Sequence, residues 1–129
     1  MKLDLTLLSV RLGICQLPVD APVPAWAAGP DFVSITRTGD ELSIVCDETL
    51  VPEDVSCTKK WQAIKVDGPL GFDLIGTMAE LAGILARAGV SIFVISTYNT
   101  DYILVQQAQT GLSLQVLKVA GHGVKLEGA

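Results

Sequence analysis

A stripe of apolar side chains with helical spacing, placed between short apolar runs of strand length, constrains the fold of this chain most strongly. Its members recur at intervals of three and four residues: Leu74, Ile75, Met78, Leu81, Ala82 and Leu85. This spacing places them on one face of an α-helix. Gly89 follows at the position of a C-terminal cap. Asp73 is expected in or next to the first turn, where an acid suits the positive end of the helix dipole.

The segments on either side of this helix have the pattern of strands. Residues 61–66 alternate between apolar and polar, which is typical of a half-exposed strand. Residues 90–95 and 102–105 are apolar runs separated by a polar segment, which predicts a hairpin. A second helix is expected from about 110 to 120, followed by a short edge strand at 124–126. The side chains that this second helix is expected to bury are Leu112, Val116, Leu117 and Ala120.

The first 60 residues predict strands with little helix. Residues 3–17 are rich in Leu, Val and Ile, which indicates a largely buried strand broken near Gly13. Residues 18–30 carry four prolines, so a connector with at most one short helical turn is expected, with Trp26 filling part of the core. The turn signal at residues 38–40 predicts two antiparallel strands within residues 31–46.

Composition favours a folded globular chain and excludes several classes of partner. Of the 129 residues, 50% are hydrophobic and 18% are charged, which favours a large buried core. The formal net charge of −5 argues against nucleic acid and anionic membranes as partners, because both are bound through clustered Lys and Arg. The apolar runs are shorter than the ~20 residues that cross a bilayer. An acid at Asp4 interrupts any signal-peptide pattern, so we expect a cytoplasmic protein.

The sequence offers little material for metal binding or nucleophilic catalysis. Cys15, Cys46 and Cys57 lack the CxxC spacing of zinc and redox sites and are expected to be small buried hydrophobic residues. His122 is the only histidine, lies between two glycines and is expected to be a solvated turn residue. No GxSxG, Walker, GxGxxG or HExxH motif occurs, so no enzyme, metal or cofactor is predicted.

Two blocks of sequence are characteristic of a known family. They are Gly68-Pro69-Leu70 with Phe72, and the hairpin Ser96-Thr97-Tyr98-x-Thr100-Asp101-Tyr102. Together with the order of elements, they resemble the ACT domain family over residues 61 to about 126. The similarity is strongest to the branch with small bacterial paired-ACT proteins, animal cytosolic arginine sensors and the regulatory domains of aspartate kinases. The resemblance implies an α+β, ferredoxin-like βαββαβ fold.

The first half resembles a degenerate preceding ACT unit, through residues 32–37 and 41–45. The resemblance therefore implies two tandem ACT-like subdomains, residues 1–60 and 61–129, with the first helix of the first subdomain shortened. A freestanding half of this size would bury only ~60% of its unfolded surface. We therefore expect the halves to fold as one unit.

The resemblance implies that a free amino acid binds where the glycine-bearing loop faces the later hairpin. The expected ligand-binding residues are Asp67, Gly68, Leu70, Gly71, Phe72, Asp73, Ser96, Thr97, Tyr98, Asn99, Thr100 and Asp101. A helix start suits an α-carboxylate, and Asp101 is the best candidate for an α-ammonium group. Alternatively, the glycines serve turn geometry, Phe72 serves the core and Asp101 bonds the backbone of its own turn. Asn99 stands where an acid is common, which weakens one contact to a cationic ligand.

Within the 129 residues the sequence shows no catalytic domain for an ACT unit to regulate. The resemblance therefore implies a sensor that binds an amino acid and acts on a separate partner protein. A homodimer is expected, because isolated ACT units leave apolar sheet edges or helix faces exposed. The alternative is a structural interaction module in which the sheets of two chains join without a ligand.

Overall fold

The structure, a computed structural model, describes residues 1–68 and 75–128. Within these residues the chain is an α+β protein with eight strands and two α-helices. The strands are β1 (Asp4–Leu7), β2 (Leu12–Leu17), β3 (Val33–Arg37), β4 (Leu42–Asp47), β5 (Cys57–Val66), β6 (Ile92–Ser96), β7 (Asp101–Gln106) and β8 (Gly123–Leu126). The helices are α1 (Thr77–Arg87) and α2 (Thr110–Val119), and one-turn 3-10 helices lie at Ala25–Ala27, Glu48–Leu50 and Gln107–Gln109.

The chain divides into two compact units. The N-terminal unit is Val10–Trp61, and the C-terminal unit joins Met1–Ser9 to Gln62–Ala129. Strand β5 contributes residues 57–61 to the former and 62–66 to the latter. The predicted subdomain boundary between residues 60 and 61 stays a prediction. It assigns β1 to the first subdomain, whereas β1 belongs to the C-terminal unit.

The C-terminal unit has the predicted order of strand, helix, strand, strand, helix, strand, in β5, α1, β6, β7, α2 and β8. Strand β7 pairs with β5 and β6, while β1 pairs antiparallel with β5 and parallel with β8. Strand β1 is therefore added between the first and last strands of the βαββαβ plan. Strands and helices share one core, whose fully buried members include Leu5, Ile64, Val66, Leu81, Leu85, Ile103, Val105 and Leu117.

Helix α1 begins later than predicted. Its N-cap is Gly76, whose φ of +87° is the left-handed region that favours glycine. A residue in that conformation cannot continue a right-handed helix, so the first helical residue is Thr77. Ile75, predicted to lie in the buried stripe, is 87% exposed, and that prediction is wrong. A helix start near Asp73 is also wrong, and Asp73 itself lies outside the described residues.

The end of α1 is as predicted. Gly89 has a φ of +78° and donates its N–H to the carbonyl of Ala86, while Val90 donates to the carbonyl of Leu85, both at 3.0 Å. These two bonds form a Schellman motif, which satisfies carbonyls that the last helical turn leaves free. Val90 is itself buried in the core, so the cap also fixes where the chain enters β6.

Two burial predictions, for residues 61–66 and for α2, are wrong. Residues 61–66 are buried except for half-buried Lys65, because β5 lies between β1 and β7. Buried Gln62 is satisfied there by the hydroxyl of Thr110, which donates at 2.8 Å. Leu112 in α2 and the C-cap residue Ala120 are exposed, and the buried face of α2 is formed by Thr110, Ser113 and Leu117. Those three are spaced by three and four residues, so the helical period holds with a different phase.

The N-terminal unit is an antiparallel sheet in the order β3, β4, β2 and the first part of β5. Its hairpin within residues 31–46 and its short helical turn at Ala25–Ala27 confirm the sequence predictions. Its core is formed by Cys15, Ala27, Leu42, Ile44, Cys46 and Val51, with Trp26 among the half-buried residues packed on it. The chain breaks at residues 8–11, between β1 and β2, rather than near Gly13.

Gly13 lies inside β2 for a reason of space. A Cβ atom at this position would lie 2.6 Å from the sulfur of Cys57, so the absence of a side chain makes room for the neighbouring strand. The glycine therefore marks a close approach of the two strands.

No helix among the described residues is both long and apolar enough to cross a membrane.

Candidate functional site

Asp67 is the first predicted site residue after β5 and is held from three sides. Its N–H donates to the carbonyl of Asp4 at 2.8 Å, and its Oδ1 accepts from the hydroxyl of Thr6 at 2.7 Å. Its Oδ2 lies 3.5 Å from Nζ of Lys125, whose side chain is 71% exposed. The Thr6 bond fixes the carboxylate, whereas an ion pair this exposed contributes little and can be exchanged.

The predicted hairpin is anchored next to Asp67. The hydroxyl of Thr100 is buried and donates to the carbonyl of Val66 at 2.5 Å. The structure therefore brings the Ser96–Asp101 segment and the Asp67 end of β5 together, although the two are some thirty residues apart in sequence. Thr97 and Thr100 close the turn, with the N–H of Thr97 donating to the carbonyl of Thr100 at 2.8 Å.

Asp101 is paired across the hairpin. It lies opposite Ser96 in the β6–β7 register, and its Oδ1 accepts from the Ser96 hydroxyl at 2.6 Å. The alternative that Asp101 bonds the backbone of its own turn is not what the structure shows. A carboxylate has about four lone-pair sites, so this bond leaves acceptor capacity. Tyr98 is 81% exposed and Asn99 is exposed.

The remaining predicted residues, Leu70, Gly71, Phe72 and Asp73, lie outside the described residues. A further candidate among the described residues is Thr77, which the sequence did not predict. Thr77 is 5% exposed, and within residues 1–68 and 75–128 its hydroxyl has no hydrogen-bond partner. It is the first residue of α1, where backbone N–H groups are also unpaired. A hydroxyl directly after a glycine-bearing loop is the sequence signal that could have identified it.

Two clefts share Asp67 and Lys125. The smaller, of about 280 Å³, is bordered by Asp4 and by the start of β8. The larger, of about 550 Å³, opens at Asp67–Gly68 and includes Lys65 and Glu127. Both belong to the C-terminal unit. Asp67 and Gly68 were predicted from the sequence, whereas the contributions of β1 and β8 were not, because those strands are more than fifty residues from Asp67.

Glu127 is oriented at the edge of the larger cleft by Ser9. The backbone N–H of Ser9 donates to Oε1 at 3.0 Å, and its hydroxyl donates at 2.9 Å. These bonds stabilise the ionised form and hold the pKa of the Glu127 carboxyl below its usual range. The larger cleft thus presents two lysines and two carboxylates, which complement a ligand that carries both charges.

His122 is not the solvated turn residue that the sequence predicts. It is 4% exposed, and its Nδ1 accepts the N–H of Leu3 at 3.0 Å. The proton of the neutral ring is therefore on Nε2, which lies 3.1 Å from Oε2 of Glu80. Both partners are remote in sequence, so the flanking glycines gave no indication of them. In the described part of the chain, no group of three or more His, Cys, Asp or Glu side chains could hold a metal ion.

Comparison with known proteins agrees with this architecture. The ACT domain profile matches residues 56–119, and a second profile, described as an N-terminal domain, matches residues 11–54. The crystal structure of protein Atu0741 from Agrobacterium tumefaciens is 39% identical, with a TM-score of 0.94 over 100% of this chain and 96% of that chain. The fold is thus a ferredoxin-like α+β fold. The chain belongs to the ACT domain family.

The relatives whose names state a function are more distant or longer. The human cytosolic arginine sensor for mTORC1 subunit 1 is 34% identical over 116 residues, which are 80% of this chain and 35% of the sensor. The chain therefore spans about a third of the length of the curated relatives that it matches. The ligand-free regulatory subunit of aspartate kinase from Thermus thermophilus is 13% identical, with a TM-score of 0.54 over 92% of this chain and 94% of that chain. That likeness concerns the fold alone.

Proposed function

We propose that this protein is an amino-acid sensor. It binds a free amino acid at the loop that begins with Asp67–Gly68 and at the Ser96–Asp101 hairpin, and it regulates a separate protein. The observation that carries the proposal is the cleft of about 550 Å³ at Asp67–Gly68, with lysines and carboxylates on its walls. The similarity to a protein named as an arginine sensor supports the same ligand class.

The charges of the cleft suit both ends of a zwitterion. Lys65 and Lys125 attract an α-carboxylate, while Asp67 accepts from an α-ammonium group with the lone pairs that Thr6 leaves free. The exposed contact between Lys125 and Asp67 at 3.5 Å can open as the ligand replaces it. Each charge-assisted hydrogen bond contributes about 1.5–3 kcal/mol. Two or three of them support affinities in the micromolar to millimolar range.

The start of α1 offers a second place for a carboxylate. Thr77 has a buried hydroxyl without a partner in the described residues, and the helix N-terminus adds unpaired N–H groups and a partial positive charge. Burying a hydroxyl without a hydrogen bond costs about 1–3 kcal/mol. A bound carboxylate oxygen removes that cost. The predicted loop residues 70–73 immediately precede this helix start in sequence.

The test is a thermal-shift screen of the twenty amino acids and their biosynthetic relatives. A ligand that binds only the folded state at a hundredfold excess over Kd stabilises it by about 2.7 kcal/mol, which raises the Tm by several degrees. Asp67→Asn and Asp101→Asn retain an oxygen for the Thr6 and Ser96 hydroxyls and remove only the charge. Asp67→Asn is expected to abolish the shift while leaving the unliganded Tm nearly unchanged. Asp101→Asn is expected to do the same if Asp101 also accepts from the ammonium group, and to lower the unliganded Tm if Asp101 only shapes the turn.

Asp40→Asn is the matched control, because Asp40 is exposed in the N-terminal unit and is expected to leave the ligand shift intact. If no amino acid or related metabolite at millimolar concentration moves the Tm of the wild type, the sensor proposal fails. A structural interaction module is then the better account. If a ligand shifts the wild type and both site variants equally, it binds elsewhere.

A homodimer is part of the proposal. Among the described strands, β3 pairs with β4 and β6 pairs with β7, so each has one partner in this chain. Both strands also expose apolar side chains, with Ile35 43% and Val94 39% exposed. An edge with such side chains is a template for pairing with a second chain. Light scattering at tens of micromolar protein is expected to give twice 13.6 kDa, and a monomer mass independent of concentration contradicts the dimer.

A further inference from the structure

The N-terminal unit brings the cysteines of two neighbouring strands together. Cys15 in β2 and Cys57 at the start of β5 are direct partners in the antiparallel register. Their sulfur atoms are 2.9 Å apart, although the residues are 42 positions apart in sequence. Both are free thiols. The sequence predicted small buried hydrophobic residues, which holds for Cys15, whereas Cys57 is half-buried.

The backbone at this pair has the geometry that a disulfide requires. At the adjacent position, the N–H of Gln16 donates to the carbonyl of Ser56 at 3.0 Å. Hydrogen-bonded and non-hydrogen-bonded pairs alternate along an antiparallel ladder, so Cys15 and Cys57 form a non-hydrogen-bonded pair, with Cα atoms about 4.5 Å apart. A disulfide spans Cα separations of about 4.4–6.8 Å. Bond formation therefore needs only a small approach of the two sulfurs.

Local packing directs Cys57 toward Cys15. The Cys57 sulfur occupies the space beside Gly13, where a Cβ would lie 2.6 Å away. Gly13 and Cys15 are two residues apart in β2 and so lie on the same face of the sheet. The third cysteine, Cys46, is fully buried in β4 and has Gly13 and Val33 as its register partners. The strand register therefore makes Cys15 and Cys57, rather than Cys46, the pair of cysteines that lie directly opposite each other.

We propose that Cys15 and Cys57 form a modification site at which a peroxide converts the two thiols into a reversible cross-strand disulfide. The Cys57 sulfur attacks a peroxide oxygen, the O–O bond breaks, and Cys57 becomes a sulfenic acid with release of water. The Cys15 sulfur then attacks the Cys57 sulfur. The S–S bond forms, the S–O bond breaks, and the hydroxide leaves with the Cys15 proton as a second water.

The electrons balance, because two thiols lose two electrons and hydrogen peroxide is reduced to two waters. Exposure sets the order of the steps. Cys57 is half-buried, whereas Cys15 is 2% exposed. Burial also raises the pKa of the Cys15 thiol, as does its hydrogen bond to Cys57. Cys57 therefore meets the oxidant first and Cys15 resolves the sulfenic acid. A small dithiol reverses the bond by thiol–disulfide exchange.

The test treats the full chain with hydrogen peroxide and maps its thiols by mass spectrometry. The oxidised wild type is expected to retain one titratable thiol of its three cysteines. Cleavage after Lys, Arg and Glu separates Cys46, in peptide 42–48, from Cys57, in peptide 54–59. Peptide 54–59 is expected to be linked to peptide 12–37, which carries Cys15, and dithiothreitol is expected to release it.

The matched variants are Cys46→Ala, which keeps the pair, and Cys15→Ser, which removes it. The linked peptide is expected in the former and absent from the latter. Closing the loop between residues 15 and 57 restricts the unfolded chain, so oxidation is expected to raise the Tm of wild type and Cys46→Ala by several degrees and to leave Cys15→Ser unshifted. Linkage through Cys46, a disulfide between two chains, or three intact thiols in the wild type overturns the proposal.

Discussion

The two compact units contain the same order of elements with very different helical content. In the C-terminal unit, α1 and α2 have 11 and 10 residues. In the N-terminal unit, the helices that follow β2 and β4 are 3-10 turns of three residues each. Both units nevertheless read strand, helix, strand, strand, helix, strand. The arrangement of strands therefore persists after the helices have been reduced to single turns.

The difference has a local cause in each segment. The connector between β2 and β3 holds Pro18, Pro22, Pro24 and Pro30, and proline removes an N–H and clashes with the preceding turn. The corresponding stretch of the C-terminal unit has a stripe containing Leu81, Ile84 and Leu85, all buried. The N-terminal unit instead covers its sheet with connector side chains, such as Trp26 and Val51. The sheet of an ACT-like unit therefore requires apolar side chains packed on its face, and these can come from a connector as well as from a helix.

Loss of apolar side chains from α1 should destabilise the C-terminal unit strongly, because this unit covers its sheet with α-helices. Leu81 is fully buried in α1, and Leu81→Ala is expected to lower the free energy of unfolding by about 2–5 kcal/mol through lost transfer energy and a residual cavity. Urea denaturation followed by circular dichroism measures the change. Ile75→Ala is the control, since Ile75 is 87% exposed, and its effect should stay within about 0.5 kcal/mol. Equal midpoints for the two variants contradict the packing of α1.

The buried histidine tests how β1 is held in the C-terminal unit. His122→Ala removes the acceptor for the Leu3 N–H and leaves that buried group unsatisfied, which should cost about 1–3 kcal/mol. Glu80→Gln is the control, because its amide oxygen still accepts from Nε2 of His122. Amide hydrogen exchange should show faster exchange at Leu3 in His122→Ala than in Glu80→Gln. Full protection of Leu3 in both variants shows that the ring does not hold this strand.

The same substitution is expected to have opposite signs in the two units. Gly13→Ala places a methyl group against the Cys57 sulfur and should destabilise by about 1–2 kcal/mol through overpacking. Gly111→Ala in α2 meets open space and should stabilise by about 0.5–1 kcal/mol through helix propensity. Chemical denaturation measures both. The double variant Gly13→Ala, Cys57→Ala should recover part of the loss, and its failure to do so shows that the contact is not the cause.

The smallest expected effect concerns one strained residue of the N-terminal unit. Lys60 has a φ of +66° at the irregularity in the β2–β5 pairing, where the register shifts by one residue. Lys60→Gly retains the N–H that donates to Glu48 at 2.8 Å and removes the steric cost of the left-handed region. The free energy of unfolding should therefore rise by about 0.5–1 kcal/mol. Lys59→Gly loses the same charge and should not raise the free energy of unfolding. An increase of equal size in Lys59→Gly contradicts the assignment of strain to the backbone of Lys60.

Local sequence patterns predicted the helices and strands. The burial and site residues that these patterns did not predict depend on long-range contacts. The order of strands and helices, the Gly89 cap and the hairpin at residues 96–101 all follow from periodicity and turn chemistry within short windows. The burial of His122 depends on Leu3 and Glu80, and that of Gln62 depends on Thr110. Of the candidate site, Asp67 and Thr100 were predicted, whereas Thr6, Lys125 and Thr77 were not. The positions of Thr6 and Lys125 depend on pairing between distant strands, which no local pattern encodes, whereas that of Thr77 depends on where α1 begins.

The position of β1 between β5 and β8 has a consequence for how the chain is made. The N–H of Leu3 bonds a side chain 119 residues later in sequence, and β8 follows directly after that side chain. At a synthesis rate of ~5–20 residues per second, β1 stays without this neighbour for roughly 6–24 s. Strand pairing over such a separation also carries a large loop-closure entropy and folds slowly. Strand β1 therefore leaves the ribosome well before its partner β8, and for that interval its apolar residues depend on chaperones or on dilution to avoid aggregation.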